Sequence, residues 1–226
     1  MQEVTGLFDP MALGIVLMGT ILATYAREGG QDVAAAIASA FKLGRKGFDA
    51  GATRSALART VGEIKRLGHL GAHPIDPPDN ATTKLLNAYI RSGSIEAMLK
   101  LAQLQRMKRD IQSVAATRVY ETAGELAPVF GLVGTLIAIT QLMPDMESSA
   151  ADIVMASVAS AVLSSLYGVL SANLLFFPLA RAIERRGDQE EAERNLILEW
   201  FENELIDGRQ SPAPRPANLK NMRGAA

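Results

Sequence analysis

Hydrophobic and polar positions in this chain fall into long blocks. Three stretches, residues 11–26, 126–143 and 153–180, contain no Asp, Glu, Lys, Arg or His. A helix that crosses a bilayer needs about 20 apolar residues, range roughly 17–25. The first stretch is slightly short, the second meets that length, and the third is long enough to cross with tilt and project beyond the lipid. Each is predicted to be a transmembrane helix. Asp9 suits the N-cap of the first and Pro10 its first turn. A cleaved signal peptide needs a basic leading region, and residues 1–10 hold no Lys or Arg. The first stretch is therefore expected to be a retained span.

Between the first two spans the spacing turns helical. Residues 32–48 place Val33, Ile37, Ala40 and Phe41 on one side; residues 55–67 do the same with Leu57, Val61, Ile64 and Leu67. Residues 68–80 are rich in Gly and Pro and predict a turn segment. Ser94 suits the N-cap of a long helix with no strong breaker before Gly124 and Pro128, so the helix is expected to run into the second span. Its residues before Pro128 would extend about 50 Å at about 1.5 Å each. After the third span, residues 181–208 read as an amphipathic helix with Leu196, Leu198, Trp200, Phe201 and Leu205 on its apolar side, and residues 209–226 as a disordered tail. The expected fold is an all-α membrane protein, with three transmembrane helices and long cytoplasmic helical extensions.

Charge sets the expected orientation. All 23 Lys and Arg lie in residues 27–120 or 181–226, and none in residues 1–10 or 144–152. Basic residues mark the cytoplasmic side. The layout predicted is a periplasmic N-terminus at 1–10, a span at 11–26, a cytoplasmic helical domain at 27–122, a span at 123–143, a periplasmic loop at 144–152, a span at 153–180 and a cytoplasmic C-terminal region. The formal net charge of −1 argues against nucleic acid as the main partner. With no Cys, disulfides and thiolate chemistry are excluded.

The second and third spans lack any ionisable carrier. They hold mild polar groups, Thr135, Thr140 and Gln141 in one and Ser157, Ser160, Ser164, Ser165, Tyr167, Ser171 and Asn173 in the other. Small residues, among them Gly131, Gly134, Gly168 and Ala172, let helices approach closely. This composition describes a packed, mildly polar wall. If ions pass along it, the titrating group is expected from a partner helix. The plainer reading is that these hydroxyls bond a carbonyl one turn earlier and that Pro128 and Pro178 are helix kinks. A scaffold without transport would need nothing more. A zinc site built on His69 and His73 with Asp76 and Asp79 is opposed by Gly68, Gly71 and Pro74, which break the helix that such spacing requires, and by the lack of a Glu between the two His.

At these residues the chain resembles the MotA/TolQ/ExbB family. APVFGLVGTLIAI is similar to that family's Pro-x-x-Gly-x-x-Gly-Thr helix, and AVLSSLYGVLSANLLFFPLA to its helix with paired Thr, here Ser164 and Ser165. FDPMALGIVLMGTILAT resembles the second helix of MotA, and LILEWFENELIDGRQSPAP the region after MotA's last helix. The resemblance implies a channel-forming subunit of an ion-driven motor, a homo-oligomer (a pentamer) around two copies of a single-span partner that is MotB-like or ExbD/TolR-like and carries an essential Asp. It implies that Thr135, Ser164 and Ser165 border an ion pathway for H⁺ or Na⁺, with no other cofactor, and that Pro128 and Pro178 couple ion passage to movement. MotA usually has four spans; three spans with the N-terminus outside is the layout of TolQ and ExbB. By alignment Lys65 stands near MotA's basic rotor-contacting position, while His73 stands at the acidic one. The implied location is the bacterial inner membrane.

Overall fold

A computed structural model describes residues 8–140 and 150–210. The tail beyond residue 210 and most of the expected periplasmic loop lie outside them. The described residues form α1 (Pro10–Glu28), α2 (Gly30–Leu43), α3 (Ala50–Leu67), α4 (Asn80–Ser92), α5 (Ile95–Thr140), α6 (Ala150–Leu170), a π-helical stretch (Ser171–Phe176) and α7 (Phe177–Gln210). No strand occurs among them. The fold is all-α, and three helical stretches are long and apolar enough to cross a membrane: Pro10–Glu28, Ile95–Thr140 and Val154–Asp207.

Local chemistry explains the boundaries. Asp9 caps α1, its carboxylate accepting from Met11 N and Ala12 N at 3.0 and 3.1 Å, and Pro10 needs no donor in the first turn. The expected helix over 32–48 ends at Leu43, where Gly44 takes over, and α3 begins at Ala50 rather than at residue 55 because Asp49 caps it. One helix has no counterpart in the expectations. α4 is capped by Asp79 at its start and stopped by Gly93, whose φ of 64° only glycine adopts readily.

The chain divides into two compact units. One comprises Phe48–Lys108 and Gln189–Ala226. Its core joins Leu57 and Val61 of α3, Leu86 and Tyr89 of α4, Met98 of α5, and Ile197, Phe201 and Leu205 of α7. Phe201 meets Tyr89 edge-on at 6.4 Å. Arg194 pairs with Asp79 at 3.0 Å and lies over the Phe48 ring. Here His69 packs near Tyr89, and the backbone N–H of His73 donates to Glu63 at 2.8 Å.

The other unit comprises Met1–Gly47 and Arg109–Asp188. α1 buries Ala12, Val16, Thr20 and Thr24, one per turn, and leaves Met11, Met18, Ile21, Leu22 and Tyr25 exposed. α2 buries Ala36 against Ala116, Val119 and Ile183. The exposed apolar surface of this unit extends over α5, α6 and the π-helical stretch, with Leu132 and Leu136 on the first, Val162 on the second and Leu174 on the third. Such a surface suits lipid or neighbouring helices rather than water.

Candidate functional site

The two charge-free spans meet at a seam built from glycine. A methyl group on Gly168 would stand 2.6 Å from the Ala127 carbonyl oxygen and 3.1 Å from the Cα atoms of Pro128 and Gly131. On Gly131 it would stand 3.0 Å from the Ser164 carbonyl oxygen and 3.3 Å from the Ser165 Cα. α5 and α6 therefore touch backbone to backbone, which only small residues allow. At Gly134 a methyl would collide with the Ser164 hydroxyl. That hydroxyl, 1% exposed with its residue, donates to the Gly131 carbonyl at 3.1 Å.

The seam gathers Pro128, Gly131, Gly134, Ser164 and Gly168. Ser164 faces inward as an interhelical bond. Thr135 and Ser165 each follow a seam residue and lie half-buried at its margin. The Thr135 hydroxyl donates to the Leu132 carbonyl at 2.6 Å, the local bond that the plainer sequence reading describes, and it keeps lone pairs free to accept. Ala172 is fully buried within the π-helical stretch.

The two prolines are accommodated differently. Pro128 lies inside α5, which continues through it. Pro178 follows the π-helical stretch. A proline at 178 offers no N–H to the Leu174 carbonyl, and the ladder before it runs in the wider register, with the Phe177 N–H reaching the Ala172 carbonyl. The Asn173 side chain donates to the Val169 carbonyl at 2.9 Å, adding a bond where the ladder changes register.

Sequence reasoning placed Asp9 only as a helix cap. The structure also ties it to α6. The Ser160 hydroxyl donates to its carboxylate at 2.5 Å, and its own N–H donates to the Tyr167 hydroxyl at 2.9 Å. Ser160 above all, then the Ala12 amide, hold the Asp9 carboxyl below its ordinary value; burial opposes them, and the Met11 amide adds the least. A carboxylate held by so many donors is a fixed anion rather than a proton carrier. At the other end of α1, Glu28 is 7% exposed at its side chain, accepts from the Thr122 hydroxyl at 2.8 Å and pairs with Arg118 at 3.3 Å. Neither cluster carries a linear sequence signal, since each joins residues on helices far apart in the sequence. In the other unit, Lys65 is paired with Glu204 at 2.5 Å.

Comparison with known proteins agrees with the fold. Solved structures with similar architecture are a MotAB structure from C. jejuni (TM-score 0.76, 15% identity, 89% of this chain and 79% of that one) and the flagellar MotAB stator complex from Bacillus subtilis (TM-score 0.73, 19% identity, 88% and 79%). Among relatives by sequence are the chemotaxis protein PomA of Vibrio alginolyticus, 32% identical over 51% of this chain and 46% of that protein, and motility protein A of Borreliella burgdorferi, 33% identical over 45% and 36%. The matched stretch thus spans less than half the length of these curated relatives. The family model of the MotA/TolQ/ExbB proton channel family matches residues 77–195, more than half of the sequence, and the chain belongs to that family.

Proposed function

We propose that the chain is the channel-forming subunit of an ion-driven, stator-type complex in the bacterial inner membrane. It works with a single-span partner that brings the titrating carboxylate. The observation that carries this reading is the α5–α6 seam, a wall with no ionisable side chain of its own, closed by Gly131, Gly134 and Gly168 and edged by the hydroxyls of Thr135 and Ser165. A hydroxyl donates and accepts by turns, so it can follow an acid that gains and loses an ion. Asp9 does not replace the partner's acid, because three donors, two amides and the Ser160 hydroxyl, favour its charged form. The orientation proposed, N-terminus outside and C-terminus inside, rests on the distribution of Lys and Arg.

Several copies, five by family resemblance, would surround two partner helices, and Pro128 and Pro178 would convert ion passage into helix movement. Similarity to PomA and to motility protein A favours a stator over an envelope-energising complex. Contact of Lys65 with a rotor belongs to the same proposal, as does transport of H⁺ or Na⁺. The test is ion flux into liposomes holding the chain together with its partner. Flux that requires the partner's intramembrane acid supports the reading. A sealed assembly unaffected by that acid points to a scaffold and overturns it.

A further inference from the structure

Each proline of the second and third spans removes the usual donor for one carbonyl. Pro128 has no N–H for the Gly124 carbonyl, and Pro178 has none for the Leu174 carbonyl. These are the turns at which α5 and the run from α6 into α7 resist bending least. Both lie in the same compact unit, and one side chain brings them into contact.

That side chain is Phe177. A methyl group on Gly124 would stand 2.7 Å from the Phe177 Cε1 and 2.9 Å from its Cδ1 and Cζ. These are adjacent atoms of one ring, so the phenyl group lies against bare backbone, in the space a side chain at 124 would take. Gly124 is buried, as are Ala123 and Ala127, and the small residues leave a notch on one side of α5. Side chains of a helix lean toward its N-terminus, so the ring reaches back from residue 177 over the π-helical stretch. The level agrees. Gly168 meets Pro128 backbone to backbone, and one turn further on stand Ala172, in the π-helical stretch, and Gly124. Phe177 also makes a wide-register bond, its N–H reaching the Ala172 carbonyl, and it directly precedes Pro178. It thus belongs to the altered turn of one helix and fills the notch in the weakened turn of the other. Withdrawing the ring would open a cavity, which opposes separation of the two turns.

We propose that Phe177 is a positioning residue: its ring, seated on Gly124, ties the two proline turns together, so that α5 and the run from α6 into α7 bend as one. The inference rests, for its part in the complex, on the reading in which Pro128 and Pro178 convert ion passage into helix movement. It adds the contact through which a change at one proline reaches the other.

The test is amide hydrogen exchange on the full chain in liposomes, read over residues 120–127 and 171–177. Pro178→Ala returns an N–H to the Leu174 carbonyl and should slow exchange over 171–177. With the ring in place, exchange over 120–127 is expected to slow as well, by about 2- to 30-fold, the range in which linked sites affect each other. Adding Phe177→Leu, which keeps a large apolar group without the ring, should preserve the first change and abolish the second. Adding Gly124→Ala instead, which fills the notch from the other side, should do the same, so the outcome does not hang on one variant folding. A response confined to 171–177 while Phe177 and Gly124 are intact overturns the proposal. A response over 120–127 that survives both substitutions also overturns it, because the Gly131–Gly168 seam then carries the link. Flux with the partner, measured as above, separates this inference from the reading beneath it. Partner-dependent flux with unlinked exchange sinks the tie alone, whereas linked exchange without such flux sinks the channel reading and leaves the tie.

Discussion

The hydroxyl of Ser164 donates to the carbonyl of Gly131 at 3.1 Å across two helices, and the space it occupies exists because Gly134 has no side chain. The three residues form one unit. Ser164→Ala should cost about 0.6 kcal/mol and at most about 1.7, as interhelical hydrogen bonds in membrane proteins do. Gly134→Ala should cost more, about 1–3 kcal/mol, because its methyl must displace the hydroxyl. In the double variant the methyl finds room, so its loss should fall below the sum of the two. Unfolding in mixed micelles measures all three, and strict additivity would show that the groups do not interact.

Thr135→Val and Ser165→Ala remove the hydroxyls with little change of volume near the seam. If these groups attend an ion, each should lower flux with the partner by about tenfold or more, the worth of a hydrogen bond to a charged group. Assembly should be retained. Unchanged flux in both variants would leave the hydroxyls a packing role only.

Asp9 sets a pH dependence of stability. Its carboxyl lies below the ordinary value of 3.8, with Ser160 the main cause. A depressed carboxyl contributes stability that is fully present above the unfolded value and disappears as pH falls through the folded one. The chain in detergent should therefore melt at a steady temperature from neutral pH to about pH 5, then lose stability below about pH 4. Asp9→Asn keeps a capping side chain and removes the charge. It should melt lower at neutral pH and lose this part of the acid sensitivity, as thermal melts across the range would record.

Lys65 and Glu204 offer a test of whether Lys65 acts beyond the chain. Both side chains are more than a third exposed, at 39% and 35%, so the pair is worth only about 0.2–1 kcal/mol. Lys65→Glu should lower stability slightly, and adding Glu204→Lys should restore it. Motor output that stays lost in the swapped pair would assign Lys65 to an external contact. Output that returns with stability would make the pair structural.

Much of this was legible in the sequence because the strongest signals are long. Runs without charge gave the spans, and the many small residues in the second and third, Gly131, Gly134 and Gly168 among them, suggested close helix approach. Boundaries yielded where a single residue decides them, as at Asp49 and Gly44. α4 was hidden because its apolar residues cover only a few turns beside a Pro-rich stretch. The ties from Asp9 to Ser160 and Tyr167, and from Glu28 to Thr122 and Arg118, were not legible at all. Each depends on which helices are neighbours, and helical periodicity describes one helix at a time. Ser164 shows the same limit from the other side. Its type suggested an ion-facing hydroxyl, yet which side of α6 it occupies is set by the partner helix.

The wide turn before Pro178 has a consequence for the tolerance of length changes. A π-helical turn is equivalent to one residue added to an α-helix. Removing one residue between 171 and 176 would return the backbone to the tighter winding and leave both flanks presenting the same sides as before. A deletion elsewhere in α6 or α7 would rotate everything beyond it by about 100°. The chain thus carries, where α6 passes into α7, a spare residue that can be lost without changing which sides the neighbouring turns present.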